Sequence, residues 1–171
     1  MNTHRIFVGK DTHKFSSAHM TVFPDGSKER LHGHNFQVSV AFHLRRVDFN
    51  SLLDFGKIKD ILVAQCLDWD QRLILARRNP HFEILSSDAQ GTEFEFRLCG
   101  LRYVVPLNEV LLLEVDNIIV ETLSTSFGKI LIRRLKPLMK ADVVAGVEVT
   151  VTESAGQGAS FYWQWADPLE D

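Results

Sequence analysis

Three histidines carry the strongest chemical signal in this 171-residue chain. His32 and His34 flank Gly33 at what reads as the start of a strand. Residues i and i+2 of an extended chain project to one face, so both imidazoles point the same way and the glycine crowds neither. His19 ends the preceding extended stretch, and antiparallel pairing of the two strands brings it alongside. Three neutral imidazoles on one sheet surface suit Zn²⁺, which takes histidine nitrogen at about 2.0–2.1 Å. Three protein ligands leave a fourth position open, the mark of a catalytic rather than a structural zinc. A bare His-x-His also occurs among surface histidines near a turn, and that alternative stays open on these residues alone.

The elements that must position these side chains are legible in the hydrophobic pattern. From Arg5 to His19 the chain alternates, with Phe15, Ser17 and His19 on one side. Pro24-Asp25-Gly26 then marks a turn. From His32 to Arg46, Phe36, Val38, Val40 and Phe42 alternate with Asn35, Gln37, Ser39 and Ala41, as in a sheet with one buried face. Asp54 reads as a helix N-cap, followed by the stripe Ile58, Leu62, Cys66 to an end near Leu67. Between Pro80 and Pro106, two apolar runs flanking Ser86 to Thr92 predict a hairpin, with Tyr103-Val104-Val105 as a third short strand. A second helix spans about Ile119 to Leu138, with Pro137 near its end. Val143 to Trp165 alternates again and breaks at Gly156-Gln157-Gly158, with Glu153 continuing the Val147-Val149-Val151 face. The predicted order is β-β-α, inserted hairpin, α-β-β.

Composition narrows the function classes. Hydrophobic residues at 45% and charged residues at 24%, with twelve Phe and three Trp, describe a globular chain rather than a disordered one. The length predicts a single domain over 1–171, with an insertion at about 76–116. A net charge of −3 disfavours a nucleic-acid partner, and Arg45-Arg46, Arg77-Arg78 and Arg133-Arg134 are isolated pairs. Cys66 and Cys99 cannot make a disulfide framework and read as buried small hydrophobes. No signal-peptide core and no apolar stretch of about 20 residues is present, which predicts no membrane contact and a cytoplasmic location.

Four stretches together resemble the 6-pyruvoyl-tetrahydropterin synthase family. They are Phe15-Ser16-Ser17-Ala18-His19, then Leu31-His32-Gly33-His34-Asn35-Phe36, then Asp54-Phe55 with Ile58-Lys59, and Glu153 after its Val-x-Val strand. The family includes the 6-carboxy-tetrahydropterin synthases of the deazaguanine (queuosine) pathway. The resemblance implies an α+β tunnel fold: an antiparallel four-stranded sheet with two helices on one face, here with the inserted hairpin. It implies closure into an oligomeric barrel, a homo-oligomer such as a hexamer, with sites between subunits. It implies that His19, His32 and His34 hold Zn²⁺ and that Glu153 accepts the N–H donors of a pterin ring, two oxygens meeting two adjacent donors. Glu121 matches a glutamate that opens the second helix, although Ile118-Ile119-Val120 replaces the usual Pro-Thr.

The chain departs from the pattern where protons move. Lys28 stands where bacterial members carry a cysteine. A subgroup uses a glutamate just before Leu-His-Gly-His instead, and Glu29 resembles it as a general base; a solvated turn glutamate is the other reading. The family's Asp-His pair falls on Leu67-Asp68-Trp69-Asp70-Gln71-Arg72, and two registers fit. One makes Asp70 the aspartate with Gln71 in the histidine's place; the other gives Asp68 and Trp69. Glutamine cannot shuttle a proton near neutral pH as imidazole does. Two functions follow as expectations. One is a zinc-dependent lyase acting on 7,8-dihydroneopterin triphosphate or a related pterin, with Glu29 and Asp70 as catalytic residues. The alternative is a catalytically impaired homologue that keeps the metal and the pterin anchor.

Overall fold

Period-two alternation builds the centre of the molecule. A computed structural model describes residues 4–87 and 92–169. Strands β1 (His4–His19) and β2 (His32–Leu44) pair antiparallel, and β8 (Val144–Ser154) and β9 (Gln157–Gln164) extend the sheet beyond β2. Phe15, Phe36, Val38, Val40 and Phe42 are buried on one face with Val147, Val149 and Val151. Both helices cover that face. Helix α1 (Phe55–Trp69) starts at Asp54, whose carboxylate accepts the Lys57 amide, and it buries Ile58, Leu62 and Cys66 as its stripe predicts. Helix α2 (Val120–Leu135) buries Leu123, Phe127 and Leu131 in the same core, and a 3-10 turn at Lys136–Leu138 ends it beside Pro137.

The four-stranded sheet predicted from sequence is too small. The sheet has six strands in the order β7-β3-β1-β2-β8-β9, because β3 (Arg72–Ala76) runs parallel to β1 and β7 (Val110–Leu113) runs parallel to β3. The reason lies in how β3 is buried. Ile74 and Ala76 enter the main core, while Leu73 and Leu75 enter a second core on the opposite side. A strand buried on both faces is a continuous apolar run, and four such residues carry no period to read. The inserted hairpin is a three-stranded antiparallel sheet, β4 (Phe82–Ser87), β5 (Glu93–Leu98) and β6 (Leu101–Pro106). Its predicted turn at 88–91 lies outside the described residues. This small sheet closes the second core over Met20, Val22, Leu73 and Leu75 with Phe94, Phe96 and Leu98. Cys99 departs from expectation too: it sits half-buried in the turn after β5 at φ 49°. Cys66 is buried as expected, and desolvation pushes its thiol up to about 12. No helix among the described residues is long and apolar enough to cross a membrane.

Two tests follow from the packing. A Cβ at Gly146 of β8 would lie 2.6 Å from the Trp163 carbonyl of β9. Gly146→Ala should therefore cost about 1–3 kcal/mol in denaturant unfolding, and an unchanged midpoint would show that the β8–β9 pair can give. His13 is buried, and desolvation, with repulsion from Lys10 and Lys59, holds its imidazole below the ordinary histidine range. The unfolded chain then takes up a proton that the folded chain refuses as pH falls below about 6.5. Stability is complete above that value and drains below it. His13→Gln should flatten the loss between about pH 7 and 5; an unchanged slope would place its source elsewhere.

Candidate metal centre

The register of β1 against β2 assembles the site. His19 pairs directly with His32, and Ser17 with His34, so all three imidazoles emerge on the helix-covered face at one end of the sheet. Ring centroids lie 4.6 Å apart for His19–His32, 5.0 Å for His32–His34 and 5.4 Å for His19–His34. Phe36 backs them from the core, 5.8 Å from His19 and 5.6 Å from His34. Gly33 is required between the two: its partner is Ala18, and a Cβ there would meet the Ser17 carbonyl at 3.0 Å.

The hydrogen bonds fix which nitrogens face the centre. The Nδ1 of His19 lies 3.2 Å from the Ile118 carbonyl, and the Nδ1 of His32 lies 2.8 Å from the Arg30 carbonyl. A carbonyl only accepts, so each Nδ1 donates and each Nε2 keeps its lone pair. The His19 Nε2 is buried without any hydrogen-bond partner. Burial holds the His19 imidazole below the ordinary histidine range, and the neighbouring rings of His32 and His34 push the same way against the Ile118 carbonyl and Glu29. A ligand atom from each of the three residues lies within 4.8 Å of the other two. A divalent ion fits this donor set, since Zn²⁺ coordinates imidazole nitrogen and the His19 Nε2 is left buried and bare.

Three carboxylates share the cleft. Glu29, Glu121 and Glu153 line a cavity of about 420 Å³ together with the three histidines. The Oε2 of Glu29 lies 3.8 Å from the His32 Nε2. Glu121 opens α2, and Glu153 sits near the end of β8 on the face its alternation predicts. Asp70 does not line this cleft; its Oδ1 accepts the Ser16 amide at 2.7 Å and ties the end of α1 to β1. In the other register, Asp68 pairs with Arg134 at 2.7 Å, and Trp69 is buried against Phe15 and Phe127. Gln71 lines an adjoining cavity of about 470 Å³ with Asn35, Leu31 and Val105, and His34 borders both this cavity and the cleft.

Sequence reasoning missed Asn117. Its Oδ1 accepts the amides of Val22 and Ile118, both at 3.0 Å, and its Nδ2 donates to the Val22 carbonyl at 2.8 Å. One side chain thus locks the exit of β1 to the entry of α2 and aims the Ile118 carbonyl at His19. An Asn just before an apolar helix start was the available signal.

Comparison with known proteins agrees with this geometry. Residues 9–164 match the family profile described as 6-pyruvoyl tetrahydropterin synthase. A Methanocaldococcus jannaschii protein named "Putative 6-carboxy-5,6,7,8-tetrahydropterin synthase" is 31% identical over 149 residues, 86% of this chain and 88% of that one. The chain therefore belongs to the 6-pyruvoyl tetrahydropterin synthase family, a class of pterin synthases. Its fold is that of the 6-pyruvoyl tetrahydropterin synthase of Plasmodium vivax (TM-score 0.84, 24% identity, 96% of this chain and 99% of that one). The Plasmodium falciparum protein is similar at TM-score 0.83 and 22% identity, covering 95% and 98%. Solved forms of the P. vivax protein include variants in which a glutamate named as a catalytic residue is replaced by alanine or by cysteine.

Asn117→Ala should weaken metal affinity about 10–100-fold, the usual cost of losing an outer-shell partner. Zn²⁺ competition against a chromophoric chelator measures this, with the visible spectrum of the Co²⁺-loaded protein as a second readout. Unchanged affinity and spectrum would remove Asn117 from the site's support.

Proposed function

We propose that this protein is a zinc-dependent lyase acting on the side chain of 7,8-dihydroneopterin triphosphate or a related pterin. The observation that carries the reading is the convergence of three imidazoles and three carboxylates on one cleft. His19, His32 and His34 hold the ion. When bound, it acts as a Lewis acid on side-chain hydroxyls, lowering the cost of negative charge on their oxygens.

The chain's own residues do the rest. Glu153 and Glu121 accept N–H donors from the amino-pyrimidinone edge and orient the ring. Glu29 removes the proton from the second side-chain hydroxyl. That oxygen becomes an aldehyde as the bond between the first and second side-chain carbons breaks. The electron pair passes into the ring system, and the first carbon takes up a proton, leaving a 6-hydroxymethyl-pterin. A catalytic glutamate in the P. vivax relative supports a carboxylate in this role. Asp70, outside its own chain's cleft, is assigned to a site completed by a second copy in a homo-oligomer, with a hexamer as the expected assembly. The sheet face turned away from the helices supports association, since Phe7 stands 67% exposed there.

A second reading is favoured by one observation, the absence of a histidine beside Asp68 or Asp70. It is a homologue that binds pterins without turning them over. Incubating the zinc-loaded protein with 7,8-dihydroneopterin triphosphate and following products by chromatography separates the two. Turnover should fall about 10²–10⁴-fold in Glu29→Gln with KM little changed. Tight pterin binding with no product would establish the second reading, and full activity in Glu29→Gln would remove Glu29 as the base.

A further inference from the structure

We propose that the three-stranded sheet β4-β5-β6 positions Glu29, acting through Tyr103 and Lys28. The inference rests on the assignment of Glu29 as the base. Lys28 precedes Glu29 but does not follow it toward the histidines. Its Nζ sits 5.4 Å from the centre of the Tyr103 ring on β6 and 3.4 Å from the Met20 sulfur. The same Nζ donates to the Glu29 backbone carbonyl at 3.0 Å. The Glu29 amide donates to the Thr21 carbonyl at 2.9 Å, and Lys28 bridges Val22 across the loop. Both backbone groups of Glu29 are therefore engaged while its carboxylate faces His32.

The platform behind Tyr103 is rigid. Its ring stacks on Phe96 at 5.0 Å and 10°, and Phe96 is fully buried in the second core with Met20 and Val22. A second contact is independent of the first. At the loop's turn, Gly26 adopts φ 82°, and a Cβ there would come within 3.3 Å of His81, just before β4. The added sheet thus holds the base-bearing loop at its return, through Tyr103 and Lys28, and the segment leading into β4 approaches the loop's tip closely at Gly26. A cation over a ring is attracted to the ring face whether or not a hydroxyl is present. Tyr103→Phe should therefore preserve the contact and Tyr103→Leu should abolish it. Lys28→Arg and Lys28→Met form the matching pair.

The test uses the zinc-loaded full chain. Lys28→Met and Tyr103→Leu should lower kcat about 10–100-fold, since small misplacements of a reacting group have such costs. KM should stay within about twofold and zinc content unchanged, while Tyr103→Phe and Lys28→Arg restore most of the rate. Amide hydrogen exchange at Glu29 gives a readout that needs no substrate: faster in Lys28→Met and Tyr103→Leu, as slow as wild type in Tyr103→Phe. Wild-type kcat or wild-type exchange in the two disruptive variants would overturn the proposal, as would equal losses in Tyr103→Phe and Tyr103→Leu. If wild type turns over no pterin but exchange follows the predicted pattern, the positioning holds and the lyase assignment fails.

Discussion

The register between β1 and β2 is the constraint from which the site follows. His19 opposite His32 and Ser17 opposite His34 place three imidazoles around one point. A slip of one residue would turn every side chain of one strand to the other face. The cost of that slip is set in the core, because the same alternation that presents the histidines buries Phe15 against Phe36, ring centroids 5.0 Å apart, and Phe15 against Phe127 at 5.6 Å. Each buried phenylalanine contributes on the order of 1.5–3 kcal/mol. Hydrophobic burial directly behind the histidines thus fixes the direction in which their rings point, with no side-chain bond between the histidines themselves.

What hydrophobic burial cannot fix is which nitrogen the His19 and His32 rings offer. That is settled by backbone carbonyls, Ile118 for His19 and Arg30 for His32. Both belong to loops, and each loop is held by polar contacts: the α2 entry by Asn117, the turn after β1 by the Thr21–Glu29 pairing and by Lys28. The His19 Nε2 is left buried and unpartnered. An orphaned buried acceptor costs about 1–3 kcal/mol, a cost that coordination would offset. The His13 Nδ1 and the Gln65 Oε1 are buried without a partner too, so it is the convergence of His19 with His32 and His34 that singles this nitrogen out as a ligand atom.

Most of the sheet and both helices were legible because each has a single buried face, and a single buried face leaves a period. Strands β3 and β7 were not, since Leu73 to Ala76 serve two cores at once and alternate nothing. At the site, His19, His32, His34 and Glu153 could be placed because strand alternation assigns them a direction. Asp70 could not, because it lies just past the end of α1 beside Gln71 at φ 55°, where neither helix nor strand period applies, and its carboxylate turns to the Ser16 amide. The Ile118 carbonyl had no signature at all: a main-chain acceptor is the same in every residue, and only the fold brings it to an imidazole. Lys28 shows the opposite case, a side chain whose type suggests solvent and whose direction is decided by an aromatic ring 75 positions away in sequence.

The charge balance of the cleft explains why a neutral ligand set suits a carboxylate base. Glu29, Glu121 and Glu153 bring like charges into one small cavity, and in a medium less polar than water they repel. Thiolate ligands would cancel a divalent ion's charge; three imidazoles leave it whole. An ion held this way would keep its attraction for a substrate's oxygens and would also offset the three acids around it. The 3.8 Å between the Glu29 carboxylate and the His32 Nε2 places the proposed base beside that charge. Metal and base would in this sense form one device: the imidazoles would hold the ion that carries the positive charge, and the loop held by Lys28 keeps the Glu29 carboxylate beside them.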